Sequence, residues 1–155
     1  MRSLTRRFLV KTLDGLKLSD PWVYERFYIN DNTRIQNKNG QFEKEVLNNK
    51  GETIEKSIIN KDEFLSLAEQ AEKKIARKSY LYLGDDRISI KEYLDDYAGF
   101  IRAEVEFKDI AEQENFRPYP WMISEITDSP LAFDSLLQKL SIQNFHKELA
   151  KKRGA

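Results

Sequence analysis

Residues 100–107 read Phe-Ile-Arg-Ala-Glu-Val-Glu-Phe, and this alternation of apolar and charged side chains decides the class of fold. Successive side chains of a β-strand point to opposite sides, so the segment predicts a strand with one apolar and one charged face. The charged face carries Arg102, Glu104 and Glu106. Two glutamates on one face could share a divalent cation, although a solvated outer face is the commonest arrangement in an antiparallel sheet.

The rest of the chain carries the same period of two on both sides of one helical segment. Strands are predicted over residues 2–10, 22–29, 33–36, 41–47, 52–59, 77–83 and 87–94. A helix is predicted over residues 61–75, with Asn60 and Glu63 as a capping box, and another begins at Ser129. About eight strands and at most three helices indicate one α+β domain, mainly antiparallel β, with a single curved or closed sheet and helices packed around it. Closure into a barrel would remove the exposed strand edges.

Composition excludes several classes of chemistry. The chain has 155 residues with 26 basic and 26 acidic side chains, so its formal net charge is zero, which argues against a general nucleic-acid-binding surface. The lack of cysteine and the single histidine, His146, exclude zinc–thiolate centres, cysteine nucleophiles and a local Ser-His-Asp triad. We find no long apolar run and expect no signal peptide, so the expected location is cytoplasmic.

Basic residues recur on the polar faces of other predicted strands. The pairs that share a face are Arg34 with Gln36, Arg77 with Ser79, and Lys91 with Ser89. If these faces point inward, the interior is polar and basic, and a buried cluster of that kind needs an anionic ligand. Phosphate fits that role because arginine guanidinium groups match its oxygens. Spacing alone leaves the inward and outward arrangements open.

Six short motifs in order resemble those of the CYTH, or triphosphate tunnel metalloenzyme, superfamily, over residues 3 to about 140. They are Thr5-Arg6-Arg7-Phe8-Leu9-Val10, Thr33-Arg34-Ile35-Gln36 with Asn39-Gly40, Ile59-Asn60-Lys61-Asp62-Glu63-Phe64, Ala103-Glu104-Val105-Glu106-Phe107, Pro120-Trp121 and Glu125-Ile126-Thr127-Asp128. The resemblance implies an eight-stranded antiparallel β-barrel with flanking helices, open as a tunnel. We expect one tunnel domain over residues 1–141 and a basic C-terminal tail over residues 142–155 that frays.

The resemblance and the strand alternation together predict two sets of site residues. The predicted phosphate-binding residues are Arg7, Arg34, Arg77, Lys44, Lys91 and Arg102. The predicted ligands for Mg²⁺ or Mn²⁺ are Glu104 and Glu106, with Glu43 and Glu45 as substitutes on another strand. Ser3 and Thr5 stand where the superfamily has two opening glutamates. A hydroxyl is a poorer ligand for a hard cation than a carboxylate, so we expect metal binding to be weakened.

Members of the superfamily hydrolyse inorganic triphosphate, thiamine triphosphate or nucleoside triphosphates, or cyclise ATP, so the resemblance leaves two main functions open. In the first, the chain binds a triphosphate, polyphosphate or another phosphorylated small molecule in a basic tunnel, with catalysis weak or lost. In the second, it is a metal-dependent triphosphatase with an altered metal site. A third function is partner binding through the basic tail. We expect a monomer or homodimer without a membrane or nucleic-acid partner.

Overall fold

The computed structural model describes residues 4–154, which form nine β-strands and four α-helices. The strands are β1 (Thr5–Val10), β2 (Trp22–Asn30), β3 (Thr33–Lys38), β4 (Gln41–Leu47), β5 (Thr53–Ile58), β6 (Lys73–Leu81), β7 (Ile88–Tyr93), β8 (Ile101–Glu106) and β9 (Met122–Glu125). The helices are α1 (Lys61–Ala68), α2 (Ile110–Asn115), α3 (Asp134–Leu137) and α4 (Ile142–Lys152), and 3₁₀ turns lie at Asp95–Tyr97 and Pro130–Ala132. No helix in this described part is long and apolar enough to cross a membrane.

The nine strands form a single antiparallel sheet in the order β5-β4-β3-β2-β6-β7-β8-β1-β9. The predicted α+β class and antiparallel sheet are therefore confirmed. The predicted closed barrel of eight strands is wrong, because β5 and β9 are the two edges and do not pair within residues 4–154. The short strand β9 occupies the free edge of β1, and every residue of β5 is exposed, so neither edge meets a closing partner.

Helix α1 begins where the sequence predicts and ends earlier. The Asn60 side chain accepts a hydrogen bond from the backbone N–H of Glu63 at 2.8 Å, which caps the first turn. The helix ends at Ala68, and residues from Lys73 onward join β6, where Lys73 pairs with Tyr28 of β2. The last residues of the predicted helix, including the fully buried Ile75, therefore belong to a strand, because they pair with β2.

Two apolar clusters lie on opposite sides of the sheet. The first includes Phe8, Ile90 and Val105, and residues 107–121 cover it, with Phe116 packed on Phe8 at 5.8 Å between ring centroids. The second includes the buried Phe145 and Leu149 of α4. The predicted tail does not fray over α4, because apolar residues four positions apart bury one face of that helix.

The sheet curls around a central space although it stays open. Each of the strands β1 to β8 contributes at least one side chain to the lining of one cavity. Residues 132–135, which include the start of α3, close part of the same cavity. Alternation along the strands therefore places one set of side chains in this cavity and the other set on the opposite face.

Candidate functional site

The cavity has a volume of about 450 Å³ and a strong excess of positive charge. Its cationic lining side chains are Arg7, Arg26, Arg34, Lys38, Lys56, Arg77, Lys91 and Arg102. Its acidic lining side chains are Glu45, Glu104 and Asp134. Such an excess in a partly enclosed space favours an anionic ligand, since buried charge is costly without a partner of opposite sign.

Three arginines form a cluster around Asp134, and this arginine cluster is defined here as Arg26, Arg77 and Arg102. The distances to the carboxylate oxygens of Asp134 are 2.9 Å from Arg26 Nη1, 3.1 Å from Arg77 Nε and 3.7 Å from Arg102 Nη2. The hydroxyl of Tyr93 donates a further hydrogen bond to the same carboxylate. Burial alone would raise the pKa of Asp134, but the three arginines hold it well below its usual range.

A second group joins Arg7, Lys91 and Glu104. The Glu104 carboxylate lies 3.3 Å from Arg7 Nη2 and 3.5 Å from Lys91 Nζ, and Lys91 Nζ donates to Ser89 Oγ at 2.5 Å. Burial lowers the pKa of Lys91 to about 8, against the opposing effect of Glu104. Burial would raise the pKa of Glu104, but Lys91 and Arg7 outweigh it and lower that pKa to about 2. This group therefore holds a lysine that titrates near physiological pH.

A third group pairs Arg34 with Glu45 across neighbouring strands. Arg34 Nε donates to Glu45 Oε1 at 2.9 Å, and Arg34 Nη1 donates to the hydroxyl of Tyr28 at 3.1 Å. Glu45 also accepts a bond from the hydroxyl of Thr53 at 3.3 Å. Burial would raise the pKa of Glu45, but Arg34 and Arg26, with Lys56, together outweigh burial and lower it. Arg34 and Glu45 are direct partners in the β3–β4 register, which explains their contact.

The structure brings most of the predicted site residues to one cavity. Those that line it are Arg7, Arg34, Arg77, Lys91, Arg102, Glu45 and Glu104. Lys44 lies on the opposite face of β4 from Glu45, so it does not line the cavity. Glu106 shares the face of Glu104 but is exposed at the end of β8, beyond the cavity.

Among the other positions named from the sequence, Glu43 and Thr5 do not line the cavity. Glu43 is buried, accepts a hydrogen bond from Gln36 Nε2 at 2.5 Å and lies 3.4 Å from Lys56 Nζ. Ser3 lies outside the described residues, so its predicted effect on metal binding stays a prediction. Thr5 is buried and its hydroxyl accepts a bond from Arg7 Nη1 at 2.6 Å, so this side chain stands beside the guanidinium group.

The sequence did not lead us to two residues of this site, Arg26 of the arginine cluster and Asp134 at its centre. Arg26 follows Trp22 and Tyr24 at intervals of two along β2, and all three line the cavity, so alternation could have found it. Asp134 comes from α3, outside the sheet, and no local pattern predicts that this helix reaches the cavity.

The carboxylates of the cavity do not fit a divalent cation as they stand. Each of the three is bonded to at least one arginine, and Asp134 also accepts a bond from Tyr93. Within residues 4–154 no group of three or more acidic or histidine side chains is placed to hold a metal ion. A hard cation takes oxygen ligands, and here the carboxylate oxygens serve as partners for guanidinium groups.

Comparison with known proteins identifies the fold. No family model matches the chain, and a search of curated proteins found no significant match. Two solved structures of one protein, described as the inorganic triphosphatase NE1496 and the hypothetical protein NE1496, are 18% and 19% identical to this chain. Each has a TM-score of 0.74, covering 88% of this chain and 97% of the other. This similarity confirms the predicted resemblance at the level of the fold: the chain has the fold of these two structures.

Proposed function

We propose that the chain binds a triphosphate, or another phosphorylated small molecule, in the arginine-lined cavity and that its catalysis is weak or lost. The observation that carries this proposal is the ratio of eight cationic to three acidic side chains lining one partly enclosed cavity. Guanidinium groups form paired, charge-assisted hydrogen bonds with phosphate oxygens. A ligand with several negative charges would compensate the excess.

The positions of the cations support a ligand with more than one phosphate group. Arg34 projects from β3, Arg77 from β6 and Lys91 from β7, so the positive charges surround the cavity. Arg102 Nε is buried and has no hydrogen-bond partner among the described residues. A chain of phosphate groups presents acceptors in several directions, which suits donors that come from different strands.

Weak catalysis follows from the state of the carboxylates. Phosphoryl transfer depends on positioning and on neutralising charge at the transferring group. In this superfamily a metal ion supplies part of that neutralisation when bound. Here Glu104 and Glu45 are each paired with an arginine, so the cavity residues themselves bind and orient an anion without a free carboxylate to recruit the metal.

The second function, a metal-dependent triphosphatase with an altered metal site, is favoured by two observations. One is the fold shared with a protein described as an inorganic triphosphatase. The other is that Glu45 and Glu104 line the same cavity, so a bound polyanion could draw arginines away from both carboxylates. In that case the metal would bind together with the ligand.

A melting-temperature screen and a phosphate-release assay test these alternatives. The ligands are inorganic triphosphate, thiamine triphosphate, ATP and polyphosphate, each with and without Mg²⁺ or Mn²⁺. A ligand at 100 times its Kd stabilises the native state by about 2.7 kcal/mol, which a melting curve detects. We expect stabilisation without metal and little phosphate release. Robust metal-dependent release would favour the second function, and no stabilisation by any ligand would contradict both.

A further inference from the structure

The arginine cluster already has an anionic partner, and that partner comes from outside the sheet. Asp134 is the first residue of α3, and its carboxylate receives hydrogen bonds from Arg26, Arg77 and Tyr93. Arg102 adds a third guanidinium group at 3.7 Å. Three guanidinium groups and a hydroxyl converging on two oxygens are the donors expected around a phosphate group.

The segment that carries Asp134 is firmly packed. Leu131 and Leu137, which flank it, are both fully buried in the apolar cluster that holds α4. Ser129 caps the preceding turn by accepting a bond from the backbone N–H of Leu131 at 3.1 Å. Moving Asp134 out of the cavity would expose these leucines, so the carboxylate is a fixed part of the site.

We propose that Asp134 permanently fills one anion subsite and thereby limits the length of the phosphate chain that the cavity accepts. This inference rests on the proposed function and assigns Asp134 as a specificity-determining residue within it. The ligand then binds through the other cavity donors, among them Arg7, Arg34 and Lys91, and none of its phosphate groups can take the position between the arginines that Asp134 holds.

The inference is tested by comparing inorganic pyrophosphate with inorganic triphosphate. Isothermal titration calorimetry would measure both affinities, without added metal, for the wild-type protein and for Asp134→Ala. Removing the carboxylate frees the subsite at the arginine cluster, so pyrophosphate can use either subsite but only triphosphate spans both. We expect Asp134→Ala to bind triphosphate about tenfold or more tightly than wild type, and the ratio of triphosphate to pyrophosphate affinity to rise.

Two further variants keep the result interpretable. Asp134→Ser also removes the carboxylate, keeps a polar side chain at the start of α3 and serves if the alanine variant fails to fold; the ratio should move in the same direction. Asp128→Asn removes one negative charge from the exposed surface nearby and should leave the ratio unchanged. An unchanged or lower ratio at position 134, with wild-type binding intact, would overturn this inference alone. If wild type binds neither phosphate and the variants do not either, the proposed function fails with it.

Discussion

Strand β8 has one apolar face in the core and one charged face in the cavity. Ala103 and Val105 are fully buried in the apolar cluster under residues 107–121. Arg102 and Glu104, one residue along from each, line the charged cavity on the other side. The same backbone therefore supports a dry layer that stabilises the fold and a charged layer that costs free energy to bury.

The difference between the two faces shows where stability and binding reside. The apolar cluster gains free energy from packing alone, and losing one large side chain leaves a void. The cavity groups stabilise little by themselves, because desolvation offsets much of the attraction between buried ions. Substitutions on the apolar face should therefore change unfolding, and substitutions in the cavity should change ligand binding.

The largest effect is expected from Phe8→Ala on the apolar face. Phe8 is 1% exposed and packs against Phe116, so the substitution should lower the free energy of unfolding by about 3–5 kcal/mol. Urea denaturation at fixed pH measures this loss. Affinity for triphosphate in the remaining folded protein should stay within about twofold of wild type, because additive effects hold for groups without shared partners. A large loss of affinity would show that the two faces are coupled.

The alternation that separates these two faces was predictable from the sequence, whereas the failure of the sheet to close into a barrel was not. A period of two along 100–107 determines which side chains share a face, and the structure agrees for β8. Sheet closure depends on which edges meet, and no local pattern reports that β9 would add to β1. Glu106 shows a related limit, since alternation gives its face but not whether the cavity reaches the end of the strand.

The misplaced and missed site residues have separate physical causes. Lys44 lies between Glu43 and Glu45 along β4, so alternation places it on the opposite face from both of those predicted site residues. Asp134 reaches the cavity because leucines on both sides of it pack into the core, which is a tertiary effect. Local sequence patterns therefore predict strand faces well and say little about groups that helices bring to a sheet.

The next largest effect should come from the cavity, with Arg34→Ala. Loss of a charged hydrogen-bond donor should weaken triphosphate binding by about 1.5–3 kcal/mol, or roughly 10- to 150-fold. Isothermal titration calorimetry on the folded variant measures the change. Arg87→Ala is the matched control, because Arg87 pairs with Asp85 outside the cavity. Equal affinities for both variants would remove Arg34 from the binding site.

A smaller effect concerns the pH dependence of binding through Lys91. Its pKa of about 8 lies below the ordinary value of 10.5 because of burial, so the cation is lost as pH rises through 8. Triphosphate affinity should fall about tenfold between roughly pH 7 and 9.5, the contribution of about one charged contact. Stability should rise with pH between about 8 and 10.5, since only the unfolded chain then holds the proton. Triphosphate itself titrates, so its effect on affinity is measured with Lys91→Arg, which stays charged over this pH range. This variant should not show the part of the fall in affinity that Lys91 causes. If its affinity falls as much as that of wild type, Lys91 is not the titrating group.

The smallest expected effect is a shift in that titration caused by Glu104→Gln. Glu104 lies 3.5 Å from Lys91 Nζ and favours its charged form, so the variant should move the pKa of Lys91 below 8. Carbon-13 NMR of labelled lysine side chains follows this titration directly. The pKa of Glu104 is lowered to about 2, so its carboxylate stabilises the fold above pH 4.5 and loses that effect as pH falls toward 2. Glu104→Gln should therefore also flatten stability across this acid range. Glu92→Gln, on the opposite face of β7 from Lys91 and bonded to Tyr80, is the control that should leave the titration of Lys91 in place. If the pKa of Lys91 is the same in Glu104→Gln as in wild type, Glu104 is not a specific electrostatic partner of Lys91, and many cavity charges together set that pKa.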